Sequence, residues 1–284
     1  MIQFLRDIGD NSFLLTGLMA GLLASLACGL IGPYVITRRI VFLSGAIAHM
    51  AVGGVGAALF LAAMFPSMFA WFLPIHGATL AALAGAVAIG LIHQRVAERM
   101  DTLIGALWSV GMSVGILLAK FTPGYQTELM SYLFGNIVFV SWDDVRRMLA
   151  LDAVIVGTVL VFHKRFLALC LDEEQAQLQG ISLLGTNVVL LCVVALTVIV
   201  LTQVVGLILV IALLGLPAAT AAHHVTRMGP LIFASIGICA FLTTVPRMAA
   251  YGTRVTPEAA IVLAAAGVYL LSVVMTRLRS RRPA

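Results

Sequence analysis

The stretch FLLTGLMAGLLASLACGLIGPYVI, residues 13–36, is apolar throughout and carries no charge. An α-helix needs roughly 20 such residues to cross the hydrocarbon of a bilayer. The stretch lacks a small-residue cleavage site after a basic start and has many equivalents downstream, so it reads as a first spanning helix and not as a removable signal. The equivalents bring the expected spans to about 12–36, 45–65, 76–94, 101–119, 147–163, 184–201, 204–222, 231–246 and 257–276. That is nine, or eight if one of the uncertain boundaries at 65–76 and 200–205 does not hold. Residues 131–140 are ambiguous. Gly and Pro supply the expected breaks, at Gly32-Pro33, Pro66, Pro74, Pro123-Gly124, Gly229-Pro230, Pro246 and Pro257.

Composition agrees with the spans. Hydrophobic residues make up 62% of the chain and charged residues 10%, far from a soluble domain. A membrane β-barrel would alternate in polarity, whereas these runs are apolar at odd and even positions alike. The fold class is therefore an all-α polytopic membrane protein, a compact bundle of eight or nine helices forming one domain over 1–284. No internal repeat is visible. Small-residue runs such as Gly53-Gly54-Val55-Gly56 suit close helix packing in lipid, or the lining of an aqueous path.

The net charge of +5 reflects where the arginines sit and calls for no nucleic-acid partner. Arg277, Arg279, Arg281 and Arg282 form a basic tail that anchors the C-terminus in the cytoplasm. With that end inside, Arg38, Arg39, Arg95, Arg99, Lys164, Arg165 and Arg227 join the tail on the inner side. Arg6, Lys120, Arg146, Arg147, Arg247 and Arg254 fall outside. This orientation puts residues 163–183 in the cytoplasm. The cysteines Cys28, Cys170, Cys192 and Cys239 include no close pair, which leaves redox and zinc-knuckle chemistry unsupported.

Residues 163–180, from His163-Lys164-Arg165-Phe166 to Leu178-Gln179-Gly180, form a charged island between apolar runs. Asp172 can cap a helix, with Gln175 three positions on as in a capping box. Glu173 and Glu174 then fall in the first turn, beside the exposed N–H groups, and Gly180 is placed for a left-handed stop. About seven residues of helix, roughly 10 Å, result, too short to stand alone in water. Phe166, Leu167, Leu171 and Leu178 are the expected contacts, against the membrane domain or a partner. A loop capped only for tidiness is the plainer reading.

His49 is the sharpest single site candidate, because an imidazole inside an apolar span is costly unless it is paired or faces a wet path. It can bind a borderline cation through one ring nitrogen, or it can be a hydrogen-bonded structural residue. No local carboxylate or cysteine offers a second ligand. His76 lies at an expected outer mouth and His223-His224 near the inner end of span seven; all three read more simply as interfacial polar residues. Neighbouring helical residues point about 100° apart, so the His223-His224 pair does not easily face one ion. No nucleophile elbow, HExxH pair or Walker A loop is present. Any ATP must be hydrolysed by another chain. No span carries an acidic residue in its middle apart from Asp152, near the start of span five, which weakens a proton-coupled pump.

Three ordered motifs resemble the zinc/manganese/iron permease family of bacterial ABC importers. They are Gly32-Pro33-Tyr34-Val35 with Arg38-Arg39, Phe42 and Gly45 to His49; Ser131 to Ile137 with Val140-Ser141 and Asp144; and Val205 to Leu214 followed by Pro217-Ala218-Ala219-Thr220-Ala221. The resemblance implies a multi-pass subunit of the bacterial inner membrane, surrounded by lipid. It also implies a second copy of the chain, cytoplasmic ATP-binding subunits that use the ATP, and a periplasmic metal-binding protein.

The same resemblance makes 163–183 the coupling segment that docks on the ATPase. Asp172, Glu173, Ala176 and Gly180 shape the dock, and the arginines near Lys164 anchor its start. His49 becomes a transient metal contact, while Gly45 stands where the family often has an aspartate. Loss of that oxygen ligand points to Zn2+ as cargo before Mn2+ or Fe2+. Manganese, iron or metallophore import by the same architecture is the alternative. A membrane enzyme using His49 and His223-His224 on a lipid-like substrate is the reading from a different class.

Overall fold

The computed structural model describes residues 2–7, 11–69, 71–93, 100–122 and 140–280. The motif residues Ser131 to Ile137, the Pro123-Gly124 break and the cations Arg95 and Arg99 lie outside the described residues. Twelve helices make up the described chain: α1 Ile2–Asp7, α2 Ser12–Thr37, α3 Val41–Met64, α4 Pro66–Phe69, α5 Pro74–His93, α6 Met100–Lys120, α7 Trp142–Leu171, α8 Glu173–Leu178, α9 Leu183–Val205, α10 Leu207–Ala222, α11 Met228–Ala250 and α12 Pro257–Ser280. Eight are long and apolar enough to cross a membrane. The expected span that is not among them is the seventh, 204–222, which is the short α10, 16 residues or about 24 Å.

Some of the expected breaks hold and others do not. Pro66, Pro74 and Pro257 open helices, where a missing N–H costs nothing. Pro33 and Pro246 do not break the chain but sit inside α2 and α11, as Pro217 does in α10. The most consequential difference is α7: it does not stop near 163 but continues to Leu171, a helix of 30 residues and about 45 Å. The first half of the charged island is therefore the end of a spanning helix. Between α9 and α10 the chain turns on Gly206, whose φ of 72° a side chain would resist.

Caps pin the helix starts. Ser141 and Asp144 form a reciprocal box at the head of α7: the Ser141 hydroxyl accepts from the Asp144 amide at 3.2 Å and Asp144 Oδ2 accepts from the Ser141 amide at 3.0 Å. Thr16 donates to the Val140 carbonyl at 2.6 Å, and Trp142 Nε1 donates to Ser12 Oγ at 3.2 Å. Together they hold α7 against the head of α2. At the opposite end Arg38 of the α2–α3 turn donates to the Leu169 carbonyl, so α2 and α7 run parallel to each other.

Glycine contacts set the spacing of α3, α5 and α6. A Cβ on Gly53 would come within 2.8 Å of the Gly111 carbonyl, and one on Gly54 would land on the Gly77 carbonyl. In lipid, where apolar burial drives little association, such backbone approach supplies the van der Waals contact that holds helices together. Gly54→Val should therefore cost about 1–3 kcal/mol through overpacking. Gly157→Val, at an exposed α7 position with open space around it, should stay within about 0.5 kcal/mol. Thermal unfolding of the detergent-purified variants measures both.

Candidate functional site

Asp172 links α7 to α8. Its amide donates to Ala168 O at 3.1 Å, while its Oδ1 accepts from the amides of Glu174 at 2.9 Å and Gln175 at 3.2 Å. One carboxylate thus serves two of the free N–H groups of α8. The other end closes as expected: Gly180 has φ 76°, its amide donates to Gln177 O, and the Ile181 amide donates to Ala176 O at 3.1 Å. That pair of bonds is the Schellman stop.

Side-chain placement along the island corrects part of the expectation. Phe166 and Ala176 are buried, but Leu171 and Leu178 are 75% and 88% exposed and do not pack on their own domain. A cleft of about 180 Å³ runs between the end of α7 and α8, bordered by Lys164, Leu167, Asp172 and Gln175. Arg165 does not hold α8; its guanidinium lies over the Phe162 ring at 5.3 Å. The anchoring cation is Arg38, more than a hundred residues away in sequence. Its Nη1 donates to Leu169 O at 3.1 Å and pairs with Glu173 in the first turn of α8.

The first motif supplies the rest of this joint. A Cβ on Gly32 would meet the Leu214 carbonyl at 2.7 Å, so only glycine lets α2 lie this close to α10. Tyr34 is fully buried, hydrogen-bonded to His163 Nδ1, and edge-on to Phe166. Arg39 takes a left-handed φ of 57° as the chain turns into α3.

His49 lies one helical turn beyond Gly45 on α3. Its Nδ1 is 2.9 Å from the Gly45 carbonyl. A carbonyl only accepts, so Nδ1 carries the proton and donates, leaving the lone pair of the neutral ring on Nε2. That nitrogen is the one able to meet a cation. The imidazole lies against the Trp108 indole with centroids 4.3 Å apart. Among the described residues no three His, Cys, Asp or Glu side chains gather as an ion site.

The other candidates are placed apart from one another. His76 Nδ1 accepts from the Leu73 amide at 3.2 Å, near Trp71 and Phe72. His223 and His224 converge on one hydroxyl, Ser272 Oγ, at 3.0 and 2.9 Å. The regular-helix argument against their sharing a partner does not apply, because α10 ends at Ala222 and His223 is its cap. Asp152 is buried within α7, and neither of its oxygens has a hydrogen-bond partner among the described residues. Arg38 and Trp108 carry the geometry here, and sequence reading did not single out either role. The Arg38-Arg39 motif was the available signal for the first; nothing local marks Trp108.

The sequence model of the ABC 3 transport family matches residues 10–276. A Chlamydia trachomatis protein named "Probable metal transport system membrane protein" is 39% identical over 267 residues, covering 93% of this chain and 89% of that one. "Manganese transport system membrane protein MntC" of Listeria monocytogenes is 27% identical over 95% of this chain and 92% of its own length. Among solved structures, PsaBC from Streptococcus pneumoniae in complex with Fab superposes with a TM-score of 0.84 at 27% identity, covering 96% of this chain and 95% of that one.

Removing the Asp172 carboxylate leaves two amides of a six-residue helix without their acceptor. Asp172→Ala should weaken α8 by about 1 kcal/mol and raise amide hydrogen exchange of Ala176 and Gln179 about fivefold. Leu178→Ala, at an exposed position, should leave that exchange unchanged.

Proposed function

This chain belongs to the ABC 3 transport family, and we propose that it carries manganese(II) inward as the membrane permease of a binding-protein-dependent importer. At the coarser level it is the permease subunit of a divalent-metal ABC importer, a multi-pass protein of the bacterial inner membrane without an ATPase site of its own. The reading as a membrane enzyme falls with that membership.

In this proposal the exposed Leu171 and Leu178 side chains and the cleft beside α8 meet the cytoplasmic ATP-binding subunit, with Asp172, Glu173, Ala176 and Gly180 shaping the dock. Two permease copies, two ATPases and one periplasmic metal-binding protein complete the assembly. The observation that carries the coupling is Arg38. It joins Glu173 of α8 to the turn that opens α3, so a push on α8 reaches the helix bearing His49. His49 then takes the ion through Nε2 as a passing contact. A small ligand number favours release, since an ion held by a full cage would not leave.

Manganese rests on relatives such as the Listeria monocytogenes protein. It displaces the zinc expected from Gly45, although one observation keeps zinc as the second reading. Among the described residues His49 belongs to no group of three His, Cys, Asp or Glu side chains, and an imidazole ligand suits zinc better than manganese.

Uptake by the complete complex in vesicles, with Mn2+, Zn2+ and Fe2+ compared with and without ATP, separates the two. ATP-dependent uptake of Mn2+ should exceed that of Zn2+, and the reverse order would establish zinc. His49→Ala, with assembly verified, should lower uptake at least tenfold; unchanged uptake would remove His49 from the path.

A further inference from the structure

Residue 45 is the position on α3 from which a side chain could stand beside His49, because residues four apart share a helical face. A two-donor pair on α3 would therefore use positions 45 and 49. The space that such a side chain needs is already filled. A Cβ on Gly45 would lie 2.7 Å from Trp108 Cζ3 and 2.8 Å from Ile211 Cδ1, both closer than real Cβ atoms approach their neighbours. Ile211 presents the free end of a flexible chain and can swing aside. The indole is less free, because it also lies against the His49 imidazole, with centroids 4.3 Å apart and planes inclined at 32°.

The position of Trp108 is itself fixed by the way α6 meets α3. Three positions later on α6, a Cβ on Gly111 would meet Met50 Cα at 2.8 Å, and at Gly115 it would meet the Val52 carbonyl at 2.6 Å. These contacts draw the two backbones together along their length. At the level of residue 45 the remaining gap accepts an indole facing a hydrogen atom, and nothing larger.

Resting on the reading of His49 as a metal contact, we propose that Trp108 is a positioning residue that narrows the margin of Mn2+ over Zn2+ in the path. Its indole excludes any side chain from position 45 and fixes the face of the imidazole, so that His49 meets the cation with Nε2 as the single donor of its helix. Residues 45 and 108 form an exclusive pair: a donor at 45 requires a smaller residue at 108. Position 45 thereby supplies no side-chain oxygen, and the path admits Zn2+ more readily than it would with a donor there.

The steric half of the proposal is tested by a stability cycle on the purified permease. G45A should lower the thermal midpoint, and its penalty in a W108A background should fall to less than half that in the wild type. Equal penalties in both backgrounds would show that Trp108 is not what excludes a side chain.

The functional half is read as the ratio of Mn2+ to Zn2+ uptake by the complete complex. G45D/W108A should raise that ratio at least tenfold over both wild type and W108A, a change that a purely structural role of Trp108 would not produce. G45S/W108A, with a smaller oxygen donor, should move it in the same direction if the carboxylate variant does not assemble. Ratios within threefold of wild type, in complexes where H49A abolishes uptake, overturn the inference and leave His49 in place. Full uptake by H49A removes the His49 reading and this inference together.

Discussion

The Arg38 guanidinium holds together the end of the bundle from which everything else takes its position. Its side chain is only 12% exposed, yet it carries a full charge, and a charge in that setting must be answered by acceptors. It finds two, the Leu169 carbonyl near the end of α7 and the Glu173 carboxylate in the first turn of α8. Glu173 is half-exposed and already favoured by the N-terminal end of its helix. The pair is therefore charge-assisted without burying both ions, which avoids the heavy desolvation of a fully interior bridge. Because Arg38 belongs to the turn between α2 and α3, the bond joins four helices at one point.

What was legible in the sequence was what local chemistry decides. Long apolar runs announced the spanning helices, and Asp172 and Gly180 announced the two ends of α8 because caps and left-handed stops are settled within a few residues. The length of α7 was not legible, since Lys164, Arg165 and His163 look like the start of a loop when read as polarity alone. In the fold they continue a helix whose Phe166 is buried beside Tyr34 and whose Arg165 lies across Phe162. Pro33 and Pro246 misled for the opposite reason. Proline signals a break in isolation, but packed spanning helices accommodate it.

The candidate site was legible by half. His49 stands out because an imidazole in an apolar run needs an explanation, and Gly45 stands out only through the family resemblance. What joins them is tertiary: Trp108 comes from another helix, brought to that level by glycine contacts that no local pattern announces as a pair. The same limit hid Arg38, whose partners lie far along the chain, and the meeting of His223 and His224 at Ser272, which depends on where α10 happens to stop.

The length of α7 also makes this protein sensitive to its solvent. Arg147 stands near one end and Lys164 near the other, 17 residues or about 26 Å apart, a little under the thickness of a bilayer's hydrocarbon. Cations at those two levels, with Trp142 just beyond the first, are side chains that settle at the two lipid–water boundaries. The seven residues from Arg165 to Leu171 then stand clear of the hydrocarbon and carry α8 with them. The bilayer thus acts as a gauge: a thicker or thinner membrane tilts α7, and the height of α8 above the headgroups changes with that tilt.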